Sequence, residues 1–307
     1  MAQDKEKLGV PEAAPEPLFN LEKMIAWVAE LTDSPEDTVR RRVNDEFNRV
    51  GTNLSRALRK AGLEPHVWSD DLARFYEQTD AFLYELIVWN RNKTKQQMRR
   101  RIARHLAAVQ GRPLDVLSIG DGLGFDSAYL AQAGHRVTYF EVPGLTEAFA
   151  RRVFAESGTD VVVLTDKTAI PPAAYDAVLC LDVLEHLPDP PGLVRDMTAY
   201  LRPGGRLIVH APFYLVWSGN LAHLRENRRY SGSLSLYEEQ GLQLIDGGIM
   251  WNPLVLQKPR DGRRLPCVTL KTIGLVMVGW YLIEGRFSSL PFFWVRPLMS
   301  HNHVRED

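Results

Sequence analysis

Residues Val116-Leu117-Ser118-Ile119-Gly120-Asp121-Gly122-Leu123-Gly124 decide the fold. A short apolar run passes into glycines at alternate positions, and a helical pattern opens near Asp126. Strand, tight turn and helix in succession are the first half of a parallel strand–helix–strand unit. Glycines suit a turn whose backbone lies against a ligand over the carboxyl end of a strand, where any Cβ would collide. They serve equally well in a plain strand–helix connection. The spacing is GxGxG, whereas dinucleotide folds usually carry GxGxxG, which leaves room for pyrophosphate at the helix N-terminus.

Downstream of Leu114, apolar runs of four to seven residues alternate with helical patterns. Strands are expected at 115–119, 136–141, 161–165, 177–181 and 205–210, with helices at 126–132, 146–157, 191–200 and 234–240. A hairpin-like pair at 242–250 and 254–257 is an uncommon ending for a parallel sheet. Upstream the chain is helical. Ser34-Pro35-Glu36-Asp37 reads as N-cap, first-turn proline and first-turn acids, with Gly51 closing that helix. A short helix at 54–61 stops at Gly62. A third starts near Ser69 and buries Leu72, Phe75, Tyr76, Phe82, Leu83, Leu86 and Ile87; a fourth, 92–109, ends at Gly111. The organisation expected is a flexible leader at 1–18, a helical lid or dimerisation region at 19–111, an α/β domain at 112–260 and an unassigned extension at 261–307.

The 307 residues include 37 basic and 38 acidic side chains, a formal net charge of -1. That balance gives no overall pull toward nucleic acid or an anionic membrane. Arg40, Arg41 and Arg42, and later Arg99, Arg100, Arg101 and Arg104, form local basic clusters. They read as solvated helix faces, with a phosphate-binding surface as the alternative. Cys180 lies in an apolar run and reads as buried; with only Cys267 besides, no Cys/His cluster has metal-ligand spacing, and no metal site is assigned. The first residues contain no apolar targeting core, and the longest apolar stretch, 272–283, is too short to span a bilayer. A cytoplasmic protein without an integral membrane segment is expected.

Three acids follow successive strands on the edge that bears the glycine turn. Glu141 comes 17 positions after Gly124, where a carboxylate can accept from both hydroxyls of a ribose. Asp166 ends the third strand, placed to accept from an adenine amino group while the Lys167 amide donates to the ring. Asp182 follows the fourth. A solvent-facing strand end and a simple turn former remain the alternatives for Glu141 and Asp166.

The region from Asp115 to Phe213 resembles the class I S-adenosylmethionine (SAM)-dependent methyltransferases, in the group that includes ubiquinone-biosynthesis-type and small-molecule enzymes. Three stretches carry the resemblance: the glycine turn; Leu181-Asp182-Val183-Leu184-Glu185-His186-Leu187; and Leu201-Arg202-Pro203-Gly204-Gly205-Arg206-Leu207. It implies a Rossmann-like seven-stranded α/β sheet of order 3-2-1-4-5-7-6 with one antiparallel strand, which would account for the terminal hairpin. It also implies SAM as cofactor, held by Gly120, Asp121, Gly122, Gly124, Glu141, Asp166, Lys167 and Asp182. SAM carries no phosphate, so the tighter turn suits it. One departure is Ser118, where the family usually has an acid two residues before the first glycine.

Methyl transfer to an alcohol or phenol needs in-line alignment and removal of a proton. His186, beside the expected SAM pocket, and His223, in the segment after the fifth strand, are the candidates for that role. Tyr76, Phe82, Tyr84 and Trp89 are available for an apolar acceptor pocket or for helix packing, and Trp217, Trp251, Phe292, Phe293 and Trp294 leave the second half aromatic too. The reading is O-methylation of a small molecule, with a homodimer through the N-terminal helices as a further expectation. A degenerate SAM-binding scaffold, favoured by Ser118, and an NAD(P)-dependent oxidoreductase are the alternatives. A nucleic-acid substrate is not expected, because no Asn/Asp-Pro-Pro-Tyr run is present.

Overall fold

The computed structural model describes residues 15–247 and 253–260. Seven strands form one sheet in the order β3-β2-β1-β4-β5-β7-β6. They are β1 (Asp115–Ile119), β2 (Arg136–Phe140), β3 (Val161–Leu164), β4 (Tyr175–Leu181), β5 (Leu201–His210), β6 (Gln243–Asp246) and β7 (Leu254–Gln257). β1 to β5 pair in parallel, and β7 runs antiparallel to both β5 and β6. The expected sheet order and reversed strand are both present. The expected strand at 242–250 is shorter, and its last residues lie outside the described part of the chain.

Strand alternation supplies two cores. On one face Leu117 and Ile119 of β1, Val178 and Cys180 of β4 and Leu207 of β5 pack with Val194 and Met197 of a helix at Pro190–Tyr200 (α9). On the other, Val116, Leu179 and Ile208 meet Met98, Ile102 and Leu106 of a helix at Lys93–Gln110 (α6) and Leu130 of a helix at Phe125–Gln132 (α7). α6, placed by sequence in the helical region, is therefore a layer of the sheet domain.

The rest of the N-terminal region consists of α1 (Leu21–Thr32), α2 (Glu36–Asn48), α3 (Thr52–Ala61), α4 (Asp70–Gln78) and α5 (Ala81–Arg91). It shares its core with the sheet domain. Met24, Val28, Val43, Leu83 and Ile87 pack with Phe125 of α7 and with Phe149 and Val153 of a helix at Leu145–Glu156 (α8). Even Leu18, assigned to the leader, is fully buried, and its carbonyl accepts from Arg91 Nη1 at 2.7 Å. Residues 1–14 of the leader and the 272–283 stretch lie outside the described residues, as do Cys267, Trp251, Phe292, Phe293 and Trp294.

Three local expectations need correction. The continuous helix from Ser69 is two helices, broken where Thr79 turns extended (φ -81°, ψ 140°) and its hydroxyl accepts from the Ala81 N–H. Pro35, not Ser34, takes the N-cap position of α2. Gly51 starts α3 in a left-handed conformation (φ 81°) instead of closing α2.

The largest departure concerns the second basic cluster, whose Arg99 is 2% exposed. Arg99 Nε lies 2.7 Å from Asp126 Oδ1, and Lys95 Nζ lies 2.9 Å from Asp126 Oδ2. Burial alone would raise the Asp126 carboxyl pKa, but these two cations hold it below the ordinary carboxylate range. Removing one member of a buried pair leaves uncompensated charge, a loss of about 3–5 kcal/mol. Asp126→Ala should therefore lower unfolding stability by about that amount, read as the urea midpoint, and an unchanged midpoint would show the cluster is not holding the fold.

Candidate active site

The glycine turn lies at the carboxyl end of β1, with Gly120, Gly122 and Gly124 all left-handed (φ 69°, 62° and 79°). Two β2-side groups hold it. Tyr139 Oη donates to the Gly122 carbonyl at 2.6 Å, and Glu141 Oε2 accepts from the Gly122 N–H at 3.0 Å. Glu141 thus sits against the turn, and burial pushes its pKa upward. The turn's immediate neighbours are protein. A Cβ on Gly120 would stand 2.5 Å from Val183 Cγ2, and one on Gly122 would stand 2.9 Å from Leu86 Cδ1.

The other expected cofactor residues are less concentrated. The Asp121 carboxylate accepts from the N–H groups of Asp126 (3.2 Å) and Ser127 (2.7 Å), capping the start of α7. Asp166 is exposed and accepts from the Thr168 N–H at 2.8 Å. Exposed Lys167 pairs with Asp196. The Asp182 side chain is committed elsewhere: it accepts from Trp89 Nε1 at 2.9 Å, faces Lys95 Nζ at 3.5 Å and pairs with His210 Nδ1. Burial would raise its pKa, but His210 and Lys95 hold it well below the ordinary range.

Asp182 is itself left-handed (φ 60°) and turns the chain from β4 into a 3-10 turn at Leu184–His186. The segment after β5 clamps that turn. Fully buried Asn227 donates from Nδ2 to the Leu187 carbonyl (2.8 Å) and the Glu185 carbonyl (3.2 Å), and the Leu224 N–H donates to the Glu185 carbonyl (2.9 Å). His223 is thereby delivered to His186, their rings edge to face at 4.8 Å. Both imidazoles stand with Nε2 3.9 Å from Glu185 Oε1. Burial, then the His186 ring, pushes the His223 pKa well below that of a free imidazole, and burial raises Glu185 well above the ordinary carboxylate value.

These groups open onto a cavity of about 660 Å³. Its opposite wall comes from the N-terminal region: Glu46 to Val50, with Phe82, Glu85, Leu86 and Trp89 of α5. The two walls touch at Gly51, where a Cβ would stand 2.8 Å from the Gly219 carbonyl oxygen. Of the four aromatic residues proposed for an acceptor pocket, Phe82 and Trp89 line the cavity, as does Trp217. Tyr84 is buried beneath the Arg42 guanidinium (3.9 Å to the ring centroid), and Tyr76 packs on Phe82.

A methyltransferase-domain family model matches residues 90–245, half of the chain, from the end of α5 through β6. The chain belongs to the class I SAM-dependent methyltransferases. A ubiquinone biosynthesis O-methyltransferase of Xylella fastidiosa (strain M23) is 41% identical over 99 residues, 31% of this chain and 40% of the relative. One of Chromobacterium violaceum is 35% identical over 108 residues, 34% and 45% of the two chains. The chain thus spans less than half the length of the curated relatives it matches. Magnesium protoporphyrin IX methyltransferase from Synechocystis PCC 6803, solved with bound SAM, is 21% identical, with a TM-score of 0.46 over 62% of this chain and 97% of that one. No helix among the described residues is long and apolar enough to cross a membrane.

SAM is the cofactor of this methyltransferase family. The residues that the sequence did not single out are those that shape the site: Tyr139, Lys95, Asn227, and the carboxyl groups of Glu46 and Glu85. Glu46 is fully buried and accepts from the N–H groups of Gly51 and Asn53, both at 2.7 Å. Burial, then Glu46, pushes Glu85 up to about 8 from an ordinary 4.5. The folded chain then keeps a proton that the unfolded chain releases near pH 4.5, so Glu85's contribution to stability declines from there through about pH 8. One such group contributes a slope of at most about 1.4 kcal/mol per pH unit. Glu85→Gln should flatten the decline in that window, measured by denaturant unfolding at several pH values; an identical profile would mean Glu85 ionises normally in the fold.

Proposed function

We propose that this methyltransferase moves the methyl group of SAM to an oxygen of a neutral, ring-bearing small molecule in the cavity beside Glu185, His186 and His223. The cavity carries the proposal: about 660 Å³ falls within the range of small-molecule sites, and aromatic side chains from both the N-terminal helices and the post-β5 segment line it. Four carboxyl groups, of Glu46, Glu85, Asp182 and Glu185, line it with a single cationic side chain, Arg49, so it offers an anionic acceptor little charge complementarity. Oxygen as the methylated atom is favoured by the relatives named ubiquinone biosynthesis O-methyltransferases.

The donor would lie along the glycine turn. The backbone of the Gly120–Gly124 turn would meet its amino-acid end once the Leu86 and Val183 side chains give way, Glu141 its ribose hydroxyls, and Asp166 with the Lys167 amide its adenine. Asp182, held by Lys95 and His210, would position the turn that carries Glu185 instead of touching the donor. The sulfonium supplies an electrophilic methyl group; the protein's part is alignment and exclusion of water. His223 or His186 would accept the acceptor's hydroxyl proton, each neutral at pH 7 because burial lowers its pKa. An imidazole so hard to protonate is a weak base for that task.

Leu86 and Val183 support a second reading, a scaffold that does not bind SAM, because both pack directly on the glycine turn. Titration calorimetry with S-adenosylhomocysteine separates the two. Under the enzymatic reading the chain binds it, and Glu141→Ala loses about 1–3 kcal/mol of affinity through the missing charge-assisted hydrogen bonds. Binding unaffected by that change would move the ribose elsewhere, and absence of binding by the unaltered chain would favour the scaffold. A mass-spectrometric screen of ring-hydroxylated acceptors with methyl-labelled SAM then tests the acceptor class, with label on a phenolic or alcoholic oxygen as the expected product. Label appearing only on nitrogen acceptors would overturn the oxygen assignment.

A further inference from the structure

We propose that Glu185, His186 and His223 bind a divalent transition-metal ion, which takes the acceptor's hydroxyl oxygen at a coordination position open to the cavity. The three side chains offer one carboxylate oxygen and two imidazole nitrogens, all within 4.8 Å of one another. They come from two segments, the 3-10 turn after β4 and the loop after β5, that Asn227 and Leu224 lock together through the backbone.

The Glu185 carboxylate supplies the second, independent observation. It is fully buried, and neither oxygen has a hydrogen-bond partner. A buried carboxylate without a donor is costly unless it is neutralised or coordinates a metal. The two imidazoles beside it each stand 3.9 Å away, beyond hydrogen-bond reach. Nitrogen and oxygen ligands around zinc lie about 2.0–2.2 Å from the metal, so the ligand atoms would stand about 3–3.5 Å apart. Closing that gap takes a shift of the His186 side chain, which lines the cavity and is 27% exposed.

Two imidazoles and one carboxylate select zinc, cobalt, iron or nickel over magnesium and calcium, which prefer all-oxygen shells. Three protein ligands leave positions for substrate oxygen. An ion there lowers the pKa of a bound hydroxyl, a task the two weakly basic imidazoles perform poorly alone. The hydroxyl proton leaves to water, the new O–C bond forms as the methyl S–C bond breaks, and the electron pair of that bond returns to sulfur, giving S-adenosylhomocysteine. This role for the ion rests on the methyl-transfer reading; the binding of the ion does not.

The test uses the full chain, stripped with a chelator and titrated with Co²⁺. Visible absorption and calorimetry report metal binding, and S-adenosylhomocysteine is titrated in parallel. The expected result is one Co²⁺ per chain, displaced by Zn²⁺, with affinity at least 10-fold weaker in both Glu185→Gln and His223→Gln while S-adenosylhomocysteine affinity changes less than 2-fold. Glu185→Gln replaces a partnerless carboxyl with a neutral group of the same shape, and His223→Gln is the second variant should the first fail to fold. Absence of a Co²⁺ spectrum in the unaltered chain, or equal Co²⁺ affinity in a folded variant, would overturn the proposal. Loss of S-adenosylhomocysteine binding with Co²⁺ binding intact would instead remove the methyl-transfer reading.

Discussion

The buried contact of Lys95 and Arg99 with Asp126 and Asp182 is the constraint on which the site depends. Two cations from the first turns of α6 enter a space almost closed to water and meet a carboxylate at the head of α7 and another at the end of β4. Desolvating such charges costs several kcal/mol per ion, so the arrangement persists only where each charge finds its opposite. Arg99 also donates to Asn90 Oδ1 at 2.7 Å, and Trp89 donates to Asp182, so α5 is drawn into the same network. The N-terminal helices are thereby fixed over the carboxyl edge of the sheet. Their placement creates the cavity, since Phe82, Glu85, Leu86 and Trp89 all project from α5 into it or along its wall.

The strands of the sheet were legible because their burial is periodic and local. Apolar runs bounded by Gly, Asp and Pro mark β1, β2, β4 and β7 to within a residue or two, and the family resemblance supplied the order in which they pair. The misreadings fall where tertiary partners override local pattern. Arg99 looks like one of a solvated row until Asp126, 27 positions away, is seen beside it, whereas Arg100 and Arg104 are exposed as expected. The α4–α5 break is invisible in an unbroken apolar pattern because it is made by Thr79 and by the Asp80–Arg42 pair across to α2.

The candidate site divides the same way. Glu141 and the glycine turn could be read from their spacing, and they do meet, through the Gly122 N–H. Asp121 and Asp166 could be named as acids near the edge, but Asp121 caps α7 and Asp166 caps a 3-10 turn, a use of aspartate that sequence spacing does not distinguish from ligand binding. The Glu185–His186–His223 cluster was not legible as a group. Its members share no ligand spacing, and only the packing of Asn227 beneath the 3-10 turn brings His223 across to the other two.

Asp182 and Glu185 show how one short turn produces two chemically different acids. They are three positions apart, Asp182 half-buried and Glu185 fully buried, and the sequence offered Asp182 as a cofactor residue and Glu185 only as part of the run after β4. Asp182 faces Lys95, His210 and Trp89, so its charge is compensated and its pKa lies low. Glu185 is fully buried beside two imidazoles that burial keeps neutral, so burial and then the Asp182 charge raise its pKa. Titratable neighbours pushed in opposite directions mark a place where a fold divides structural from chemical work. Asp182 is the structural member, because each of its partners belongs to the tie between helices and sheet. Glu185 lines the cavity with both carboxyl oxygens lacking a hydrogen-bond partner, which leaves it available for the chemistry proposed there.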